Sequence, residues 1–186
     1  MAASRTRQVS TAKALTSPLV VAVVLLLCIS LVSAHETHNV TFYVHDSILV
    51  PNANALIVAG PGGDLTQLQK GVILVTDTVI TKTANPGSDA LGKFEGQYIV
   101  DGGIKYRIQA TVIIDFPGDL VETTYEILGQ RTSFNSTNDR TLAVVAGTGF
   151  FQGQTGYAIV HTVSQTLFGT NGAQINTQKW TLVVGK

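Results

Sequence analysis

The sequence predicts an all-β fold, an eight-stranded antiparallel up-and-down barrel that forms a single domain. Apolar and polar residues alternate with the two-residue period of half-buried strands, and no stretch has a convincing helical period. The links between the apolar runs contain Gly, Pro, Asn and Asp, which is typical of turns. Eight consecutive antiparallel strands close naturally into a barrel without exposed edges, although a two-sheet sandwich would show the same alternation.

Eight stretches carry this strand pattern. We place the strands at residues 39–49, 71–81, 92–101, 104–114, 120–128, 140–147, 156–168 and 174–184. The alternation is clearest in the fourth strand, where Tyr106 and Val112 share one face and Arg107 lies on the other. Short turns, such as the DGG sequence at 101–103, then join consecutive strands in antiparallel order.

A glycine-rich turn lies in the second half of the chain. In residues 144–158, two apolar runs flank four glycines that are interspersed with aromatic side chains. Glycine permits the positive φ of a sharp reversal, so we expect strand, turn and strand here. A phosphate-binding loop would need a following helix and a Lys-Ser/Thr pair, and the stretch has neither.

The segment 50–69 interrupts the strand pattern. It contains Pro, Gly and Asn, and its AGPGGD sequence at 59–64 cannot continue a strand. A loop of this length in a compact domain is usually functional or mobile. We therefore expect a long loop that could lie across one mouth of the barrel.

The N-terminus has the order of a secretory signal peptide. Basic residues at 5, 7 and 13 precede an apolar run at 19–29, and the small-residue sequence VSA follows at 32–34. The apolar run is short for a membrane span, although an uncleaved N-terminal anchor is the alternative. We expect a signal peptide at 1–34, secretion, and a mature domain at 35–186.

Removal of the signal peptide limits the chemistry of the mature chain. Cys28, the sole cysteine, lies inside the signal, so disulfides, thiolate catalysis and cysteine–metal sites are excluded. Nine basic and twelve acidic residues remain, without a basic cluster, which argues against nucleic acid or anionic membranes as partners. The positions of His35, His38 and His45 do not match a metal site, and we predict no metal.

If the chain is secreted, two sequons become candidate sites of N-glycosylation. They are Asn39 in the sequence NVT, close to the new N-terminus, and Asn135 in the sequence NST, within a polar stretch typical of an exposed loop. We predict both as glycosylation sites.

Polar residues that share a strand face with apolar neighbours are the candidate site residues. By alternation, Asp46, Asp77, Arg140 and His161 each fall on such a face. A buried unpaired charge is unfavourable, so these residues need a partner, a solvated cavity or a function. A small barrel can hold one modest ligand, on which buried acids could perform acid–base chemistry. Alternatively, they lie near strand ends where water reaches them, and His161 is a hydrogen-bonded histidine of the wall.

Six features occur in a set order along the chain. They are TFYVHD at 41–46, GVILVTD at 71–77, LGKFEGQY at 91–98, Arg140, AGTGFF at 146–151 and GYA at 156–158. In order and spacing they resemble the plant dirigent family of the allene oxide cyclase-like barrel superfamily, and the resemblance covers nearly the whole mature chain.

This resemblance implies an eight-stranded barrel secreted to the apoplast or cell wall, usually as a homotrimer whose pockets open separately. Dirigent proteins bind phenoxy radicals, such as those of coniferyl alcohol, and direct their coupling to one stereoisomer in lignan and phenylpropanoid biosynthesis. A separate oxidase, such as a laccase or a peroxidase, makes the radicals, so no cofactor is expected. Some relatives are enzymes that act on quinone methide-type intermediates.

The resemblance also assigns roles to particular positions. Asp46 and Arg140 match the family's pocket aspartate and arginine, and we predict them as catalytic, with Arg140 keeping Asp46 ionised. Tyr98 matches a wall tyrosine, and Phe42, Asp77 and His161 complete the predicted substrate pocket.

Two departures concern the family's second carboxylate. This chain has the sequence DT at 77–78 where the family often has two acids, and GQR at 129–131 where it usually has Asn or Asp. The substrate can therefore differ from the family's usual one. The alternative functions are an isomerase of the allene oxide cyclase type and a non-catalytic barrel of the cell wall or of defence that binds apolar ligands.

Overall fold

Nine β-strands close into a barrel in the computed structural model, which describes residues 37–102, 105–115, 123–131, 138–169 and 173–185. The strands are β1 (His38–Ile48), β2 (Ala55–Ala59), β3 (Ile73–Thr81), β4 (Ala90–Gly102), β5 (Lys105–Ile114), β6 (Thr123–Arg131), β7 (Arg140–Gly147), β8 (Thr155–Phe168) and β9 (Ala173–Gly185). Two single 3₁₀ turns lie at Pro61–Gly63 and Gly149–Phe151. The all-β barrel predicted from the alternation is confirmed, and each of the eight predicted strands corresponds to one of these nine.

Antiparallel pairing runs from β2 around the barrel to β9, and the long pairing of β9 with β1 closes the ring. In β1, β3, β4 and β9, the even-numbered side chains point into the barrel and are mostly buried. The register pairs Phe42 with Trp180 and Asp46 with Asn176. These pairs set which side chains meet inside the barrel.

The strand β2 is the difference between the prediction and the structure. The expectation that the whole segment 50–69 is a loop is wrong at Ala55–Ala59. β1 pairs directly with β3 only near Val44 and Ile80, and beyond that point β2 lies between them. The strand went unrecognised because its five residues are flanked by turn-forming residues and are too few to establish a period.

The glycine-rich turn between β7 and β8 has the predicted form. Gly149 and Gly153 have φ values of 57° and 76°, in the left-handed region that glycine adopts most readily. The turn places Phe151 near His38 at the start of β1, and its ring packs against Tyr125 with centroids 5.0 Å apart. The hairpin therefore closes the end of the barrel at which β1 begins.

The barrel interior changes in character along its axis. Toward the end where β9 finishes, the inward side chains are apolar and fully buried, including Phe42, Phe94 and Trp180. Toward the end where β9 starts, they include Asp46 and three carboxamides of β9. Among the described residues, no helix has the length and apolar character needed to cross a bilayer.

Candidate functional site

The carboxylate of Asp46 is the starting point of the site. Asp46 lies at an inward position of β1 and is 4% exposed. The Tyr98 hydroxyl donates to Oδ2 at 3.2 Å, and the Thr76 hydroxyl donates to Oδ1 at 3.5 Å. Among the described residues it is the only buried carboxylate. Because burial of a charge is costly, hydroxyl donors on both oxygens help to retain the ionised form.

Tyr98 connects Asp46 of β1 to the part of the wall formed by β4 and β5. It lies at an inward position of β4, is 1% exposed, and packs edge-on against Tyr106 with ring centroids 5.2 Å apart. Packing against Tyr106 restricts the ring, so the hydroxyl group is held toward Asp46. Tyr98 is therefore an inward residue of the barrel wall, and its role in a substrate pocket stays a prediction.

Arg140 is the buried cation of the same interior. It is the first residue of β7, is 6% exposed, and donates from Nη2 to the Thr162 hydroxyl at 2.7 Å. Burial lowers the pKa of Arg140, while the nearby ionisable groups of Asp139 and Tyr98 act in the opposite direction. Tyr98 thus interacts with both predicted catalytic residues. The expectation that Arg140 keeps Asp46 ionised stays a prediction.

Phe42 belongs to an aromatic cluster that lies next to the polar groups, toward the end of the barrel where β9 finishes. Its ring is nearly parallel to that of Trp180, with centroids 6.3 Å apart and 14° between the planes. Phe94 packs on Trp180 at 5.2 Å with a tilt of 59°. The cluster therefore places three fully buried aromatic rings beside the polar groups of the interior.

Two predicted pocket residues lie outside the barrel. The Asp77 side chain is 66% exposed and lies 3.8 Å from Lys93 Nζ, and the His161 side chain is 51% exposed with Nδ1 2.8 Å from Asp139 Oδ1. The prediction that they line the interior is therefore wrong. The outer faces of β3 and β8 also carry apolar residues, among them Val79 and Val163, so the alternation did not distinguish inside from outside.

The structure describes both positions at which the family's second carboxylate was expected. Thr78, at the inward position of the DT pair, donates its hydroxyl to the His45 carbonyl at 3.2 Å and accepts from Asn54 Nδ2 at 2.9 Å. At Gly129, an added Cβ would lie 2.4 Å from Leu142 Cδ2, so no larger side chain fits unless Leu142 moves. Neither position supplies an acid.

The sequence analysis missed three interior carboxamides. Gln174, Asn176 and Gln178 of β9 are each at most 1% exposed. These side chains are neutral, so the presence of a charge on an apolar face does not identify them. Their shared parity with Trp180, Leu182 and Val184 was the signal that could have revealed them.

Of the remaining predicted sites, Asn39 lies among the described residues. Asn39 is exposed on β1, where its backbone pairs with Val183 of β9. Asn135 and the predicted signal peptide at 1–34 lie outside the described residues. Within the described part of the chain, no group of three or more His, Cys, Asp or Glu side chains could hold a metal ion.

Comparisons with known proteins agree with this architecture. The family model described as Dirigent-like protein matches residues 37–179. The pterocarpan synthase dirigent protein PsPTS1 superposes with a TM-score of 0.68 and 27% identity, over 81% of this chain and 95% of that one. The structure of GePTS1, also a pterocarpan synthase dirigent protein, has the same TM-score at 22% identity, over 82% of this chain and 86% of the other.

Curated relatives share between a quarter and a third of their aligned residues with this chain. Dirigent protein 23 of Arabidopsis thaliana is 29% identical over 67% of this chain and 66% of its own length. Dirigent protein 9 of the same plant is 30% identical over 62% of this chain and 38% of its own length. Pterocarpan synthase 1 of Glycyrrhiza echinata is 30% identical over 63% of each chain. The match to the family model covers most of the sequence, and the chain belongs to the dirigent family.

Proposed function

We propose that this protein binds phenoxy radicals, such as those of coniferyl alcohol, and directs their coupling to one stereoisomer. One observation carries the proposal: Asp46 is buried in the barrel and held by the hydroxyl groups of Tyr98 and Thr76. A carboxylate fixed in this way accepts a hydrogen bond from a phenol hydroxyl and so orients that end of the ligand.

The aromatic cluster supplies the second contact. Rings placed against Phe42 and Trp180 would be restricted to a small set of orientations by offset stacking. Holding two reacting rings in one relative geometry selects one coupling product, because the competing approaches are excluded. In this proposal a separate oxidase, such as a laccase or a peroxidase, generates the radicals, and the barrel needs no cofactor.

The relatives favour a second candidate function. Two of the matched structures and two of the curated relatives, from Glycyrrhiza echinata and Glycine max, are named pterocarpan synthases. By analogy, this chain would close a ring on a quinone methide-type intermediate, with Asp46 as the group that accepts the phenol proton. Ring closure of this kind requires no oxidant, which distinguishes it from radical coupling.

A coupling assay tests the first function. Coniferyl alcohol is oxidised with a one-electron oxidant, with and without the purified secreted protein, and the dimers are separated on a chiral column. We expect an enantiomeric excess that Asp46→Asn abolishes, because a neutral amide oxygen accepts the hydrogen bond of the phenol hydroxyl more weakly than a carboxylate does. Asp77→Asn is the matched control and should retain the excess, since Asp77 lies on the outer wall.

Other outcomes of the assay favour the alternatives. A racemic product with the wild-type protein would contradict stereodirected coupling of this phenol and favour the non-catalytic binding barrel. Conversion of a quinone methide precursor without oxidant, lost in Asp46→Asn, would favour the ring-closing enzyme instead.

We also propose that the protein acts outside the cell. The basic, apolar and small-residue order of 1–34 supports secretion to the apoplast or cell wall. The exposure of Asn39 supports a glycan on its sequon, and the polar stretch around Asn135 supports a second. Exposed apolar side chains on the barrel wall support a homo-oligomer, a trimer by the family resemblance.

A further inference from the structure

Three carboxamides form a row inside the barrel on consecutive inward positions of β9. Gln174, Asn176 and Gln178 are each at most 1% exposed, and Trp180 continues the row into the aromatic cluster. Inward positions of a strand are about 6.6 Å apart, so the row extends over about 13 Å of the wall. It therefore borders much of the polar half of the interior.

Each of these side chains has one buried polar atom without a hydrogen-bond partner among the described residues. The atoms are Gln174 Nε2, Asn176 Oδ1 and Gln178 Nε2. Folded proteins pair nearly all of their buried polar groups, and an unpaired one is destabilising. Three such atoms on one face of one strand form a set of hydrogen-bonding groups that the described residues leave unused.

Neighbouring side chains orient two of the amides. The Trp180 indole N–H donates to Gln178 Oε1 at 3.2 Å, which directs the Gln178 NH₂ group away from the indole. Gln165 Nε2 donates to Gln174 Oε1 at 2.5 Å, which directs the Gln174 NH₂ group away from Gln165. Gln174 and Gln178 consequently present their NH₂ groups on either side of the Asn176 amide along the strand.

The row adjoins the carboxylate of the site. Asn176 is the cross-strand partner of Asp46, and Gln178 is the partner of Val44. Side chains opposite each other on one face of an antiparallel pair lie within contact distance. A ligand whose phenol hydroxyl is held by Asp46 therefore has Asn176 beside it and the two glutamines within reach.

We propose that this row is a second polar subsite, which binds an oxygen of the ligand other than the phenol hydroxyl. The amide NH₂ groups donate to a hydroxyl, carbonyl or ether oxygen, and Asn176 Oδ1 accepts from a hydroxyl group. The ligand class is then a phenol with a second oxygen on its side chain or on a further ring, in preference to an alkyl phenol. This inference rests on the site of the proposed function and adds the substrate class.

A pair of phenols tests the proposal. Dihydroconiferyl alcohol and 4-propylguaiacol differ only in the terminal hydroxyl of the propyl chain, and their binding to the full secreted protein is measured by calorimetry. We expect the alcohol to bind about fivefold more tightly, the effect of one net hydrogen bond. Trp180 is the only tryptophan of the chain, so its fluorescence reports binding at the adjoining Gln178.

Asn176→Leu keeps the side-chain size and removes the acceptor. We expect it to bring the two affinities within twofold of each other while the melting temperature is maintained or raised, because a buried unpaired amide oxygen is removed. Gln178→Met provides the same test if Asn176→Leu does not fold. Lys179→Met, at an exposed outward position of β9, is the control and should preserve the preference.

The outcomes separate this proposal from the proposed function. Equal affinities in the wild-type protein, no binding of either phenol, or a preference that survives in both Asn176→Leu and Gln178→Met would overturn the subsite and indicate amides hydrated by buried water. If the preference is present but stereocontrol is absent, the subsite stands and the coupling function fails. If stereocontrol is present without the preference, only the subsite fails.

Discussion

The side of the sheet on which a polar residue lies decides whether it can contact a ligand inside this barrel. Asp46 and Asp77 both occur among apolar residues at period two, yet Asp46 is 4% exposed and the Asp77 side chain is 66% exposed. The parity was read correctly for both strands. For β3 the parity could not identify the inner face, because Val75 and Val79 make its outer face apolar as well.

His45 provides a pH-dependent test of a single residue. Its Nε2 lies 2.8 Å from the Thr81 hydroxyl and its Nδ1 lies 3.3 Å from the Thr177 hydroxyl, on the outer side of β1. Burial lowers the pKa of His45 below its ordinary value of 6.5. The unfolded chain therefore binds this proton at a higher pH than the folded chain, and stability should fall as the pH drops below about 6.5.

The measurement compares urea unfolding midpoints at pH 7.5 and 5.5 for the wild-type protein and His45→Gln. We expect the wild-type midpoint to fall more on acidification, because glutamine does not titrate. Equal falls in the two proteins would show that other groups account for the whole pH dependence.

Among the strands, the long ones could be predicted from the sequence and the short one could not. β5 and β9 are ten and thirteen residues long, enough for the alternation to establish a period. β2 has five residues, and its existence depends on the divergence of β1 from β3, which is a tertiary effect. The carboxamide row could have been predicted from the sequence, because its three residues alternate along β9 on the same face as Trp180.

The position of β2 depends on Asn54, which immediately precedes it. Asn54 Oδ1 accepts from the Ser47 backbone N–H at 2.7 Å, and Nδ2 donates to the His45 carbonyl at 2.6 Å and to Thr78 Oγ1 at 2.9 Å. These bonds connect β1 and β3 where the two strands separate. Loss of the side chain leaves several of these partners without a bond.

We expect Asn54→Ala to lower the free energy of unfolding by about 2–3 kcal/mol, measured by urea denaturation. Asn54→Asp keeps the acceptor for Ser47 but loses both Nδ2 donors, so it should be destabilised as well. If both variants unfold at the wild-type midpoint, the hydrogen bonds of Asn54 do not hold the junction together.

The outer wall of the barrel carries several large apolar side chains that are exposed to solvent. On β2 and β3, Leu56 is 56% exposed, Val75 is 39% exposed and Val79 is 49% exposed. Leu56 and Val75 are cross-strand partners, so they form one continuous patch. Contiguous exposed apolar residues mark interaction surfaces, and the patch suits a contact between copies of this chain.

The oligomeric state of the protein tests whether this patch is a contact between copies of the chain. We expect the wild-type protein to sediment as an oligomer, a trimer by the family resemblance, and the double variant Leu56→Glu/Val75→Glu to sediment as a monomer. Two carboxylates on the patch would have to lose water at the contact, which opposes association. Val145→Glu is the control, because Val145 is similarly exposed at 43% but lies on β7, away from the patch. Analytical ultracentrifugation distinguishes the outcomes: a monomeric wild-type protein contradicts the oligomer, and an oligomer that persists in the double variant contradicts this location of the contact.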